Sequence, residues 1–219
     1  MKKLILSLCD HTGHWARYYE TSLYEVVTFD LRSGHDIRYL PYFNRPVHGV
    51  LAAPPCTEFC IVAAQYWKRK DAEEPELLQE ALSVVDACLR MVAIYNPVWW
   101  ALENPVGRLS RHLGPPAWSF HPFEYGGWLA PGQQSVPEFP ANDGYTKRTF
   151  IWGTAKKPEM RRVEPIYREY FSESRNREWR VSPLTHSQWA NPKREGVTAA
   201  ELRSTTPLGF ARAFRAANP

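Results

Sequence analysis

Two short segments carry the residue types for covalent chemistry on a ring. One is Pro54-Pro55-Cys56-Thr57-Glu58-Phe59-Cys60; the other is Glu103-Asn104-Pro105. A cysteine sulfur is strongly nucleophilic and can leave again after attack. A carboxyl group beside it can donate or hold a proton while charge moves through the ring. Placed in one crevice, the two groups suit addition to an electron-poor ring, and a pyrimidine is such a ring.

Both segments follow apolar runs that read as buried strands, residues 50–53 before the first and 98–102 before the second. In an open α/β sheet the C-terminal ends of neighbouring strands face a common crevice. The other elements agree with such a sheet. Residues 3–8 read as a first strand and 14–22 as a short helix. Residues 25–29 read as a second strand ending at Asp30, and 48–53 as a third running into the two prolines. Proline ends regular pairing and stiffens the turn. Residues 76–95 are the clearest helix, with Leu78, Leu82, Val85, Leu89 and Val92 at helical spacing and Asn96-Pro97 as its stop. Strand, loop, helix and strand in that order predict an α/β fold with a mostly parallel sheet and helices on both faces. Residues 105–148 read as irregular, 149–152 as a late strand, and 198–217 as an amphipathic closing helix. The segment 57–75, with Tyr66, Trp67, Lys68, Arg69 and Lys70, reads either as a mobile lid or as a plain surface helix.

Composition bounds the reading. The chain has 219 residues, 44% hydrophobic and 23% charged, which suits one globular domain with a small appendage. The apolar run Leu4-Ile5-Leu6 is too short for a signal peptide or a membrane span, so a cytoplasmic protein with no membrane partner is expected, as a monomer. The four cysteines show no secreted framework. The net charge of +4 sits in one place: residues 154–196 hold ten Lys/Arg against six Asp/Glu, and the remaining 17 basic and 17 acidic residues cancel. Tyr167, Tyr170, Phe171, Trp179 and Trp189 alternate with these charges. Such a segment is either a solvated face or a surface that holds phosphates and stacks on bases.

A turn at Cys9-Asp10-His11-Thr12-Gly13-His14 ends the first strand. A glycine there lets the backbone approach a ligand, and an acid at the next strand end, Asp30, is placed for ribose hydroxyls. Asp36 can accept from an adenine amino group. Both acids are also ordinary loop residues on the plainer reading. Cys9, His11 and His14 lack a second Cys or His pair at zinc spacing, and no metal is expected.

In their order along the chain these segments resemble the cytosine-C5 DNA methyltransferases, in particular the small forms of phages and prophages. The segment 8–15 is similar to the S-adenosylmethionine loop, usually F-x-G-x-G, with His11 at the first glycine. His35-Asp36-Ile37 is similar to the segment that meets adenine. Pro55-Cys56-Thr57-Glu58-Phe59-Cys60 resembles P-C-Q-x-F-S, with Thr57 for Gln and Cys60 for Ser. Glu103-Asn104-Pro105 resembles E-N-V, with Pro for Val. Thr146-Lys147-Arg148 and the strand after it resemble the Q-x-R-x-R strand, and residues 203–217 resemble the closing helical motif.

The resemblance implies a Rossmann-like methyltransferase core over 1–153, a basic target-recognition insert over 154–197, and a C-terminal helix over 198–219 that completes the core. It implies S-adenosylmethionine as cofactor, held by Leu8, Asp10, Thr12, Gly13, Asp30, Asp36 and Pro54. Cys56, Glu103 and Arg148 are then catalytic, and Pro55, Asn104, Thr146 and Lys147 contact the substrate, DNA. Ala53-Pro54-Pro55-Cys56 lacks the polar acceptor and the aromatic of the D/N/S-P-P-Y/F/W tetrad of exocyclic amino methyltransferases. Two alternatives stay open on the sequence: a nucleic-acid-binding protein that has lost catalysis, and an RNA methyltransferase.

Overall fold

The computed structural model describes residues 1–40, 42–172, 177–181 and 198–219. Trp189 and most of the carboxyl half of the basic segment lie outside the described residues. Six strands form one sheet: β1 (Lys3–Leu8), β2 (Tyr24–Phe29), β3 (Val47–Ala52), β4 (Trp99–Pro105), β5 (Trp118–Phe120) and β6 (Thr149–Gly153). Their order is β2-β1-β3-β4-β6-β5. β2, β1, β3 and β4 are parallel, and β6 runs antiparallel to β4. The fold is α/β with a mostly parallel, Rossmann-like sheet.

β1 and most of β3 and β4 are apolar runs without helical period, because both of their faces are covered, whereas β2 at the sheet edge is only partly buried. Leu4, Ile5, Leu6, Leu8, Leu51, Ala101 and Leu102 are almost wholly buried. The main cover is α2 (Pro75–Tyr95), which turns Val85, Ala87, Cys88 and Met91 onto the sheet. Pro75 stands in its first turn, where a missing N–H costs nothing, and Asn96 in the left-handed region ends it.

Three sequence expectations change. The helix expected at 14–22 is one 3-10 turn, Arg17–Tyr19. Trp15 before it and Tyr19, its last residue, are fully buried, and a segment this short gains more from packing two aromatics than from helical hydrogen bonds. The strand expected to stop at residue 102 continues through Glu103 and Asn104 to Pro105, which pairs with Thr149. Of the two readings of segment 57–75 the helix is the one found: a 3-10 turn at Ile61–Ala63 leads into α1 (Ala64–Glu73). After a single turn of helix, α3 (Ser110–Leu113), the closing helix is two helices, α4 (Ala199–Ser204) and α5 (Leu208–Ala217), because Thr205-Thr206-Pro207 interrupts it. The basic segment, which lacks a clear period, contains an antiparallel hairpin of β7 (Arg168–Ser172) and β8 (Arg177–Val181).

The chain divides into two compact units. The first is Met1–Ser119 with Thr149–Lys157 and Asn218; the second is Phe120–Arg148 with Pro158–Ala217 and Pro219. Residues 120–148 thus group with the C-terminal helices. Within the second unit, Phe210 of α5 stacks on Phe120 at 3.9 Å between ring centres and meets the edge of Tyr125 at 5.3 Å. Ser135 Oγ donates to Asp143 Oδ2 and accepts the Leu208 amide at 2.7 Å, which caps α5. Among the described residues no helix is long and apolar enough to cross a membrane.

Candidate active site

The register places four strand ends in one row. Leu8 pairs with Phe29 on one side and Ala52 on the other, and Ala52 pairs with Leu102. The ladder continues past the strands, with the Cys9 amide donating to Phe29 O and the Ala53 amide to Leu8 O. The residues just beyond this row are Cys9-Asp10, Asp30, Pro54-Pro55-Cys56 and Glu103-Asn104. Eleven of the candidate residues therefore belong to the C-terminal edge of one parallel sheet, or to its loops, in the first unit.

The two opening segments touch. Asn104 is fully buried and its Nδ2 donates to Pro54 O at 2.9 Å. β3 and β4 are nearest neighbours, so this bond ties the turn carrying Cys56 to the strand carrying Glu103. Cys56 and Glu103 are both half-buried, and none of the four cysteines is in a disulfide. The turn is tight: the Cys56 carbonyl accepts the amides of Phe59 at 3.0 Å and Cys60 at 2.8 Å.

Behind the turn, the chain after β4 zips onto it. The Ile61 amide donates to Val106 O and the Arg108 amide to Phe59 O. Gly107 lies so close that a Cβ there would overlap the Phe59 carbonyl oxygen. Arg108 is buried. Its Nε donates to Glu58 O at 2.6 Å and its Nη1 to both Asp71 carboxylate oxygens of α1, at 2.7 and 2.8 Å. Lys70, also on α1, donates to Glu58 Oε1 at 2.6 Å. Trp67 lies under two guanidinium groups, those of Arg108 at 5.0 Å and Arg111 at 5.7 Å. The sequence reading missed Glu58, Asp71 and Arg108. The signal was a Gly-Arg pair directly after Glu-Asn-Pro-Val, and its partners lie 37 and 50 residues away.

At the other end of the row, Leu8 is fully buried and offers only its backbone. Asp10 is buried and holds its own loop together, accepting from Ser7 Oγ at 2.9 Å, from the Ala16 amide and from Thr12 Oγ1. Burial pushes the Asp10 carboxyl above the usual carboxylate range, against the lowering pull of the Ser7 bond. Gly13 has φ +65°, and a Cβ on it would meet nothing within 4 Å, so open space adjoins this turn.

Asp30 and Asp36 repeat one local device. Each accepts the amide of the residue two further on, Arg32 and Arg38, and caps a 3-10 turn. The pattern Asp-apolar-Arg is visible in the sequence at both places. His11 Nδ1 stands 3.8 Å from Asp30 Oδ1. Asp36 is further gripped by the Arg38 side chain, whose hydrogen bonds hold its carboxyl below the ordinary range. An adenine amino group would share Asp36 with Arg38.

Thr146, Lys147 and Arg148 belong to the second unit and directly precede β6. Lys147 Nζ donates to the Arg203 carbonyl near the end of α4 at 2.6 Å. Arg148 is exposed, and its charge helps burial to lower the pKa of His121.

No protein-family model matches the chain, and no curated protein matches it. Among solved structures it is similar to a prophage-encoded E. coli protein whose name gives it an inferred DNA modification methyltransferase activity. The identity is 12% and the TM-score 0.41, over 70% of this chain. The chain spans 47% of that protein's length.

Proposed function

We propose that this chain methylates C5 of a flipped-out cytosine in DNA, with S-adenosylmethionine as the methyl donor. The observation that carries the reading is the Asn104–Pro54 hydrogen bond, which joins the turn of Cys56 to the strand of Glu103. A nucleophile and an acid held on adjacent strand ends suit addition to a pyrimidine better than any other reaction weighed from the sequence.

The edge of β1 and β2 fits such a cofactor. Asp30 stands at the end of β2 beside the β1 turn, where a nucleoside diol is held in sheets of this topology. The open space beside Gly13 leaves the backbone there accessible. Leu8, Asp10, Thr12, Gly13, Asp30, Asp36 and Pro54 would form the holding set, with Asp10 shaping the loop from beneath. The group supplies an electrophilic methyl carbon on a sulfonium.

The chain's own residues do the rest. Cys56 Sγ forms a bond to C6 of the cytosine, and the displaced electron pair is taken up at N3. Glu103 donates a proton or hydrogen bond there, which leaves C5 enamine-like and nucleophilic. Once C5 is substituted, its proton leaves to a base, the Cys56–C6 bond breaks, and N3 returns its proton to Glu103. Pro55 and Asn104 shape the wall of the base site. Thr146, Lys147 and Arg148 serve as contacts to the nucleic acid, with Arg148 the exposed cation. A base inside a duplex is out of reach, so extrusion costs a few kcal/mol, which phosphate contacts offset.

The test is direct. DNA incubated with the protein and S-adenosylmethionine is digested, and its nucleosides are weighed. The expected product is 5-methylcytosine. N4-methylcytosine or N6-methyladenine instead, or no methylated nucleoside from any duplex or single strand, would overturn the reading.

A further inference from the structure

We infer that Arg108 is a positioning residue for Cys56, acting through the turn it grips; the inference rests on Cys56 as the attacking group. The turn has little apolar anchorage of its own beyond Phe59, since Thr57 is exposed and Glu58 and Cys60 are polar or half-buried. It is fastened at two points instead. In front, Asn104 holds Pro54 O. Behind, Arg108 holds Glu58 O through Nε and Phe59 O through its own amide.

The guanidinium is 4% exposed, and this decides what it can be for. An arginine meant for DNA phosphate presents its fork to solvent. Arg108 turns its fork inward, with Nη1 on both oxygens of Asp71 and Nη2 3.7 Å from Glu58 Oε2. Nη2 makes no hydrogen bond among the described residues. A buried cation with one incompletely satisfied donor is a costly way to stabilise a fold. Its geometry does something that an apolar side chain cannot: one rigid plane links a carbonyl of the nucleophile turn to a carboxylate on α1. Lys70 completes the frame from the same helix by pairing with the Glu58 side chain. α1 therefore serves as a brace for the nucleophile, and the turn and helix form one piece.

Arg108→Lys keeps the charge and loses the planar fork. Asp71→Asn weakens the outer anchor without touching the turn. Two measurements apply to both variants in the full-length protein. One is the rate at which iodoacetamide alkylates Cys56, with fully buried Cys88 as the reporter of global opening. The other is the rate at which a stable covalent adduct accumulates with S-adenosylmethionine and duplex DNA carrying 5-fluorocytosine, whose fluorine blocks the release step.

For Arg108→Lys, Cys56 alkylation rises several-fold while Cys88 stays unmodified, because the half-buried thiol is released locally. Adduct formation at saturating DNA slows by about tenfold or more, since orientation is lost. The half-saturating DNA concentration stays within about twofold, the signature of an effect on reaction and not on binding. Asp71→Asn moves both rates in the same directions by less. Unchanged rates overturn the inference, as does a raised half-saturation with an unchanged saturated rate, which would make Arg108 a DNA contact. If Cys88 becomes reactive in Arg108→Lys, Asp71→Asn decides. If the parent forms no adduct on any DNA, the cytosine reading fails, and the alkylation contrast still decides the role of Arg108.

Discussion

At the scale of single residues, Asn104 and Asp10 show how polar groups are placed under a reactive edge. Asn104 is buried, and the bond from its Nδ2 to Pro54 O ties down the turn that carries Cys56. Asn104→Ala leaves the Pro54 carbonyl unpaired in the interior and is expected to cost about 1–3 kcal/mol. Urea unfolding checks this; an unchanged midpoint would show that the bond holds nothing. Asp10 makes a pH-dependent contribution. Its folded pKa lies above the ordinary value because burial disfavours the charge. A group of this kind favours the fold while protonated, and its contribution is lost as pH rises through the raised folded value. Asp10→Asn keeps an acceptor for the Ala16 amide and carries no charge. Its stability relative to the parent should therefore rise as pH increases from about 4 toward neutrality. A parallel pair of pH–midpoint curves would contradict the assignment.

At the scale of elements, the end of β4 packs directly against the turn that follows β3. Gly107 lets β4's continuation lie against Phe59. Gly107→Ala forces the two backbones apart and is expected to destabilise by about 1–3 kcal/mol. It should also slow any reaction of Cys56 with a base, while leaving S-adenosylmethionine affinity unchanged by calorimetry. Equal loss of both would mean general unfolding. The parallel strands and α2 were legible in the sequence because buried runs and a strong 3.6-residue period are local signals. That the turn of Cys56 follows one strand and Glu103 stands on its neighbour was legible for the same reason, since β3 and β4 are both apolar runs that pair side by side. α1 was only half legible. What anchors it is polar, with Lys70 and Asp71 answering Glu58 and Arg108, and charge at helical spacing looks like a solvated face. β4 was read short because Glu-Asn-Pro carries turn residues, and only pairing with β6 keeps them extended. Arg108 was not legible at all, since its meaning depends on partners 37 and 50 residues away.

For the whole molecule, the distribution of charge and the covalent chemistry each make a prediction. Basic excess confined to one stretch of sequence should make DNA binding strongly salt-dependent. In the second unit Arg161 lies 3.8 Å over the Trp128 ring, and Arg162 is exposed beside it. Replacing both by Ala should reduce the slope of log affinity against log salt by about two. An unchanged slope would mean that this face is merely solvated. Whether Cys56 attacks the base is read from a covalent trap. The intact protein, S-adenosylmethionine and duplex DNA carrying 5-fluorocytosine are mixed, and the products are separated under denaturing conditions and weighed. The expected product is one stable protein–DNA adduct, mapped to Cys56, that is absent in Cys56→Ser. An adduct that survives Cys56→Ser, or methyl transfer that proceeds without one, would contradict attack by Cys56.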